Sequence, residues 1–247
     1  MLYGICPLSV VPVRAEASDA SEMVTQLLYG DHFEIIETQS KWIKIRIAFD
    51  GYEGWLDKKQ AFEIDEVIFN NLTNETTYST DLLSLMTTAS GQLMPVCIGS
   101  FLPASKILKH QFDGATNKDF SKNHLVETAM LYLNSPYLWG GKSPFGIDCS
   151  GFTQMVYKIS GVKLFRDSSE QAKQGQALSF IEESEPGDLA FFDNEEGKII
   201  HVGIMMKDNY IIHAHGHVRI DRIDHSGIFN TETGRYSHNL RVIKKIV

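Results

Sequence analysis

Between residues 186 and 220 the chain is written almost wholly as β-strand. After the turn signal Pro186-Gly187-Asp188 come Leu189-Ala190-Phe191-Phe192, then Ile199 to Met206, then Tyr210 to Ile220. Apolar runs this short, bounded by turn residues, read as buried strands. Just upstream lies a helix. Asp148 is a capping residue, Phe152, Val156 and Ile159 recur at helical spacing, and Gly161 stands where a left-handed C′ residue would end it. An earlier stripe, Leu125, Val126, Ala129, Met130 and Leu133, stops at Asn134-Ser135-Pro136. Helices followed by consecutive strands predict an α+β unit with an antiparallel sheet, beginning near residue 113.

The first sixty residues follow another pattern. Trp42-Ile43-Lys44-Ile45-Arg46-Ile47 alternates apolar and polar residues, as a half-buried strand does. Phe33 to Glu37 is a second strand candidate, Gly30-Asp31 and Asp50-Gly51 are turns, and Gly54-Trp55-Leu56 restarts a strand. Many short strands in so few residues predict a small barrel over 1–62. Residues 63–112 hold one strand candidate, Gly91 to Ile98, and are assigned to a second, degenerate barrel; a linker with a few packed strands is the alternative.

A length of 247 residues with 43% hydrophobic and 22% charged residues is enough for one or two packed domains and excludes a disordered or fibrous chain. The net charge of −8 gives no basic footprint for nucleic acid or an anionic membrane surface. No apolar run approaches the ~20 residues of a membrane helix. The stretch from Met1 to Val13 lacks a basic region and is broken by Pro7 and Pro12, a poor signal peptide. A cytoplasmic monomer is therefore expected, with a periplasmic or secreted location if a leader has been removed. Cys6, Cys97 and Cys149 are scattered and form no CxxC pair, so neither zinc nor a disulfide framework is indicated.

Cys149 lies in the first turn of the helix that Asp148 opens. There the free N–H groups and the helix dipole lower a thiol pKa, which suits a nucleophile. An isolated cysteine at a helix start is more often a small buried hydrophobe. Two histidines shift that balance. His201 stands in the strand Ile199 to Ile204 and His213 in Tyr210 to His215, joined through Lys207-Asp208-Asn209. A three-residue loop would put both on one face as diagonal neighbours, and a two-residue loop would separate them. A Cys–His–His triad is the reading that uses all three residues. His213, His215 and His217 alternate along one predicted strand, but the row has no carboxylate or thiolate beside it, so no metal is assigned and no cofactor is expected.

The motifs carry a resemblance. Tyr137-Leu138-Trp139-Gly140-Gly141, Gly146-Ile147-Asp148-Cys149-Ser150-Gly151-Phe152, Arg166-Asp167-Ser168-Ser169-Glu170-Gln171, Pro186-Gly187-Asp188-Leu189, His201-Val202-Gly203-Ile204 and Ile212-His213-Ala214 together resemble the NlpC/P60 family of papain-like cysteine peptidases. Val13-Arg14, Met23 to Asp31, Trp42 and Gly54-Trp55 resemble a bacterial SH3 (SH3b) domain. The combination is similar to γ-D-glutamyl-L-diamino acid endopeptidases. This resemblance implies hydrolysis of that bond in peptidoglycan stem peptides, with Cys149 as nucleophile, His201 as base and His213 orienting it. It further implies that Tyr137 and the Cys149 N–H stabilise the oxyanion and that Ser150, Arg166, Asp167 and Ser168 line the acyl-side pocket. Tyr52, Glu16 and Asp148 would meet the free amine of an N-terminal L-Ala. Asp167, Ser168 or Ser169 could instead simply cap the helix that follows. The rival functions are a non-catalytic wall-binding protein and an acyltransferase or amidase on a related papain-like fold.

Overall fold

The computed structural model describes residues 2–117 and 122–247. They divide into two compact units, residues 2–117 with Trp139–Pro144, and residues 122–138 with Phe145–Val247.

The first unit opens with seven strands, β1 (Leu2–Ile5), β2 (Val10–Arg14), β3 (Met23–Leu28), β4 (His32–Thr38), β5 (Trp42–Ile47), β6 (Glu53–Asp57) and β7 (Phe62–Ile64), in one sheet of order β3-β2-β6-β5-β4-β1-β7. The alternation predicted at Trp42–Ile47 is realised: Ile43, Ile45 and Ile47 join Val11, Val13, Leu27, Phe33 and Leu56 in one core, while Lys44 and Arg46 pair with Glu53 outside. Beyond it the expectation of a second barrel over 63–112 needs correction. That stretch forms α1 (Glu66–Thr73), α2 (Ala104–Leu108) and a three-stranded sheet of order β10-β8-β9, from β8 (Leu83–Thr87), β9 (Leu93–Cys97) and β10 (Gln111–Phe112). Three strands cannot enclose a core of their own, so Met86, Val96, Phe101 and Leu108 share one with Ile5 and Tyr29. Gly30 makes this possible: at φ +83° it lies against the Phe101 carbonyl, where any Cβ would collide. The Trp139–Pro144 segment, with β11 (Lys142–Ser143), completes this unit. The Trp139 indole donates to Glu22 at 2.6 Å and the Lys142 N–H to Gln26 at 2.7 Å.

The second unit holds α3 (Asn123–Leu131), β12 (Gly146–Ile147), α4 (Cys149–Ile159), α5 (Ser168–Gln171) and seven strands. These are β13 (Gln176–Ala177), β14 (Leu189–Asp193), β15 (Ile199–Met205), β16 (Tyr210–His215), β17 (His217–Asp224), β18 (Gly227–Asn230) and β19 (Arg235–Lys245). The sheet runs β13-β19-β14-β15-β16-β17-β18, and the long β19 also pairs with β18, closing β14 to β19 into a six-stranded barrel. Helix α4 ends as its sequence predicts. Ser160 caps it, Gly161 takes φ +79°, and the N–H groups of Gly161 and Val162 bond to the carbonyls of Lys158 and Tyr157, a Schellman motif. Every residue of α4 is buried, so the expected single apolar stripe understates its enclosure. The strand expected over Tyr210–Ile220 is two strands, folded back at Gly216 (φ +73°) with His215 opposite His217. The row of three histidines on one strand therefore does not exist. No helix among the described residues is long and apolar enough to cross a membrane.

Candidate active site

The barrel's register assembles the site. The β15–β16 pairing sets Gly203 opposite His213 and Met205 opposite Ile211, the three-residue-loop alternative, with Asp208 and Asn209 both at positive φ in the loop. His201 and His213 consequently share a face. On the same face β16–β17 pairing adds Asp221, opposite Ile211 and one step diagonal from His213. At one end this face is the apolar core of Phe192, Met205, Ile211, Ile223, Ile228 and Ile243. The other end carries imidazoles. His201 Nε2 and His213 Nδ1 are 2.8 Å apart, and His213 Nε2 lies 3.0 Å from the Asp221 carboxylate. His201 and His213 are 4% and 0% exposed. His238 of β19 stacks on His201 with ring centroids 4.1 Å apart. Exposed His215 makes ring contacts with His238, His213 and His201 at centroid distances of 4.9, 6.2 and 6.4 Å.

Charge in this cluster is tightly held. Burial pushes the His201 pKa well below its ordinary value, and the neighbouring His213, His238 and His215 push the same way. Burial likewise lowers His213, opposed by its hydrogen bond to Asp221, and takes His238 down to about 3. Burial works to raise the Asp221 carboxyl, but His213 and Arg219 outweigh it and hold it below the ordinary range.

Helix α4 brings Cys149. Asp148 caps it, accepting from the Gly151 N–H at 2.6 Å. Arg166, 2% exposed, grips that cap with Nη2 at 2.6 Å and Nη1 at 3.0 Å from the two carboxylate oxygens, and Nη1 also reaches Ser150 Oγ at 3.0 Å. Arg166 thus binds the residues on both sides of Cys149. Arg166 and Ser150, expected to line the acyl-side pocket, and Asp148, expected to meet a free amine, are buried and bonded to one another. Gln171, the last residue of α5, donates to the Ser150 carbonyl at 2.9 Å and accepts from Thr153 at 2.7 Å, a support role the sequence motif did not reveal.

The Cys149 thiol is 7% exposed, and its pKa corrects the expectation of an activated thiolate. Burial, joined by the Asp148 charge, pushes it up from 9.0 to about 12, against opposing N–H contacts from Val202 and Ser150 and the Arg166 charge. That rise corresponds to roughly 4 kcal/mol, several times the ~0.3–1 kcal/mol a helix terminus supplies. Desolvation wins. The contact with the Val202 N–H places the sulfur at the backbone of the residue that follows His201. Tyr137 is half-buried, its pKa raised to about 12 by burial and by the Cys149 and Asp148 charges, so it remains a hydrogen-bond donor. Asp167 is the exposed N-cap of α5 without a side-chain capping bond, and Ser168 begins that helix half-buried. Tyr52 and Glu16 belong to the first unit. Tyr52 is half-buried against the core beneath its sheet, and Glu16 is exposed in the loop after β2.

Two functional candidates escaped the sequence. Asp221 could have been found from the His213–Asp221 spacing once the turn at Gly216 was placed. His238, 37 residues beyond His201, had no local signal. Among the described residues no group of three or more His, Cys, Asp or Glu side chains is arranged to hold a metal ion.

Residues 134–235 match the model of the NlpC/P60 family, and residues 13–60 match the bacterial dipeptidyl-peptidase SH3 domain. A Bacillus cereus protein named gamma-D-glutamyl-L-lysine dipeptidyl-peptidase is 29% identical over 231 residues, covering 80% of this chain and 68% of the relative. A Bacillus subtilis protein of the same name is 28% identical, covering 77% and 71%. The crystal structure of an NlpC/P60 family protein from Bacillus cereus superposes with a TM-score of 0.78 over 99% of both chains at 20% identity, which establishes the shared fold. With Cys149, His201 and His213 all inside the matched segment, this chain carries an NlpC/P60 peptidase domain preceded by a bacterial SH3 domain.

Proposed function

We propose that the chain is a cysteine peptidase that hydrolyses the γ-D-glutamyl–L-diamino acid bond of peptidoglycan stem peptides, acting on peptides whose N-terminal L-Ala is free. The observation that carries this reading is the buried cysteine at the start of α4, its sulfur at the N–H of Val202, the residue after His201, which itself lies 2.8 Å from His213. The names of the Bacillus relatives support the bond, and the family match supports the reaction type.

In the proposed mechanism His201 Nε2 is occupied by His213, which leaves Nδ1 as the nitrogen to take the thiol proton. Cys149 and His201 both rest neutral, so the thiol proton passes to Nδ1 as sulfur attacks the γ-glutamyl carbonyl. The developing oxyanion is met by the Cys149 N–H and the Tyr137 hydroxyl. His201 then returns its proton to the departing amine of the diamino acid, leaving a thioester. A water molecule, deprotonated by the same imidazole, hydrolyses that thioester and regenerates the thiol.

Incubation with L-Ala-γ-D-Glu-meso-diaminopimelate and with its L-Lys counterpart, followed by mass analysis, tests the assignment. The dipeptide L-Ala-D-Glu is the expected product. Release of L-Ala alone, or no turnover of either peptide by enzyme whose Cys149 still alkylates, would overturn the proposed bond.

A further inference from the structure

We propose that Asp221 is a positioning residue which, through His213, decides which nitrogen of His201 carries its proton; this rests on reading Cys149 and His201 as nucleophile and base. Asp221 is 3% exposed and receives three donors. His213 Nε2 and Arg219 Nε lie 3.0 and 2.7 Å from Oδ2, and Arg219 Nη2 lies 3.0 Å from Oδ1. Arg219 is itself held by Glu232 at 3.1 Å. A carboxylate gripped by a guanidinium fork is ionised and can only accept.

The proton inventory follows in one direction. Because Asp221 only accepts, the hydrogen of the His213–Asp221 contact sits on His213 Nε2. His213 is buried and neutral, so its Nδ1 is bare and accepts from His201. His201 Nε2 is then the protonated nitrogen, and in the neutral ring Nδ1 keeps its lone pair. That is the tautomer able to take a proton from Cys149. Without Asp221, His213 is free to carry its hydrogen on Nδ1 and to donate it to His201 Nε2. His201 would then hold its proton on Nδ1 and could not act as a base toward the thiol. During reaction the same chain points the His213 lone pair, backed by the Asp221 charge, at the imidazolium that forms on His201. The competing role is structural, with Asp221 merely closing an ion pair with Arg219.

Asp221→Ala and Asp221→Asn separate the two roles. An amide oxygen in the place of Oδ2 keeps an acceptor for His213 and for Arg219 Nε, so Asn should preserve the tautomer and stay within about tenfold of wild-type kcat. Ala should lower kcat by roughly 10²-fold, the scale of a mispositioned base, with KM changed by less than about twofold. Nitrogen-15 NMR of the imidazoles in resting enzyme reads the proton positions directly and needs no substrate. Wild type and Asn should show His213 protonated at Nε2 and His201 at Nε2, and Ala should show the proton of His213 shifting to Nδ1. Wild-type enzyme with His213 protonated at Nδ1 overturns the proposal outright. So does a folded Ala variant with unchanged tautomers and kcat, or an Asn variant as inactive as Ala with wild-type tautomers. If the tripeptides prove not to be substrates while the tautomer pattern holds, the peptide assignment fails and the Asp221 assignment stands.

Discussion

Cys149 and His201 are both held neutral by burial, so the thiol proton moves to the imidazole only as the sulfur attacks. Cys149→Ala should abolish tripeptide hydrolysis and leave the unfolding midpoint nearly unchanged, since alanine is well tolerated in a first helical turn. Turnover by that variant would remove the cysteine from the chemistry. His201→Ala should be nearly as damaging, because nucleophile and base act as one unit. His213→Ala should lower kcat by up to about 10⁴-fold, as loss of an orienting group does. His215 is exposed and should matter less than His213 in the same assay. A second consequence is kinetic: with the thiol pKa near 12, alkylation of Cys149 by iodoacetamide should climb steadily from pH 7 to 10. A rate already at its plateau near pH 5 would show a preformed thiolate–imidazolium pair instead. Cys149, His201 and His213 were legible as candidates in the sequence because each sits in a short apolar context of definite period. The thiol's pKa was not, because burial is a sum over neighbours that local sequence does not list.

At the level of elements, the β15–β16 hairpin is where spacing alone stopped short. The loop Lys207-Asp208-Asn209 allowed two registers, and only one brings His201 and His213 to a common face. The structure selects it, with the Met206 N–H bonded to the Tyr210 carbonyl across three residues. Gly203 then becomes critical. It lies opposite His213, and a Cβ there would stand 2.9 Å from His213 Cβ and 2.7 Å from Ile211 Cδ1. Neither His213 Cβ nor the strand that carries it can swing away. Gly203→Ala should therefore displace His213 from His201, lowering kcat at least tenfold while the overpacking costs about 1–3 kcal/mol. Wild-type kcat in this variant, measured beside its urea midpoint, would show that the hairpin relaxes without moving the imidazole. The helices divide similarly. Helix α4 was legible from Asp148 to Gly161 because its cap and its C′ glycine are local devices, whereas α1 and α2 lay inside the stretch assigned to a second barrel, because their apolar faces fit only the shared core of their own unit.

For the whole molecule, the neutral buried imidazoles couple stability to pH. Unfolded histidines take up protons below about 6.5, while folded His201, His213 and His238 do so only at lower pH, near 3 for His238. The unfolded state then binds more protons, so stability falls as pH drops below 6.5, and the depressed Asp221 pKa adds to the fall below about 4. The urea midpoint should be flat near pH 7–8 and decline steadily from pH 6.5 to 4; a rise on acidification would show that these rings are protonated in the folded protein. The proposed substrate requirement is tested with the whole chain as well. If a free N-terminal L-Ala is required, kcat/KM should collapse on the acetylated tripeptide, and Tyr52→Phe and Glu16→Gln should weaken use of the free one; equal rates on blocked and free peptide would end that requirement. The sequence by itself determined the order of the parts, because strand alternation, helix caps and turn glycines act over a few residues. It also carried the resemblance of residues 134–235 to the NlpC/P60 family, because the motifs are contiguous. Only the tertiary structure decided that residues 63–112 share a core instead of closing a barrel, that β19 completes the ring of strands, and that Asp221 and His238 join His201. Those outcomes depend on which distant surfaces are buried together, and burial, unlike periodicity, is not written in any one segment of the chain.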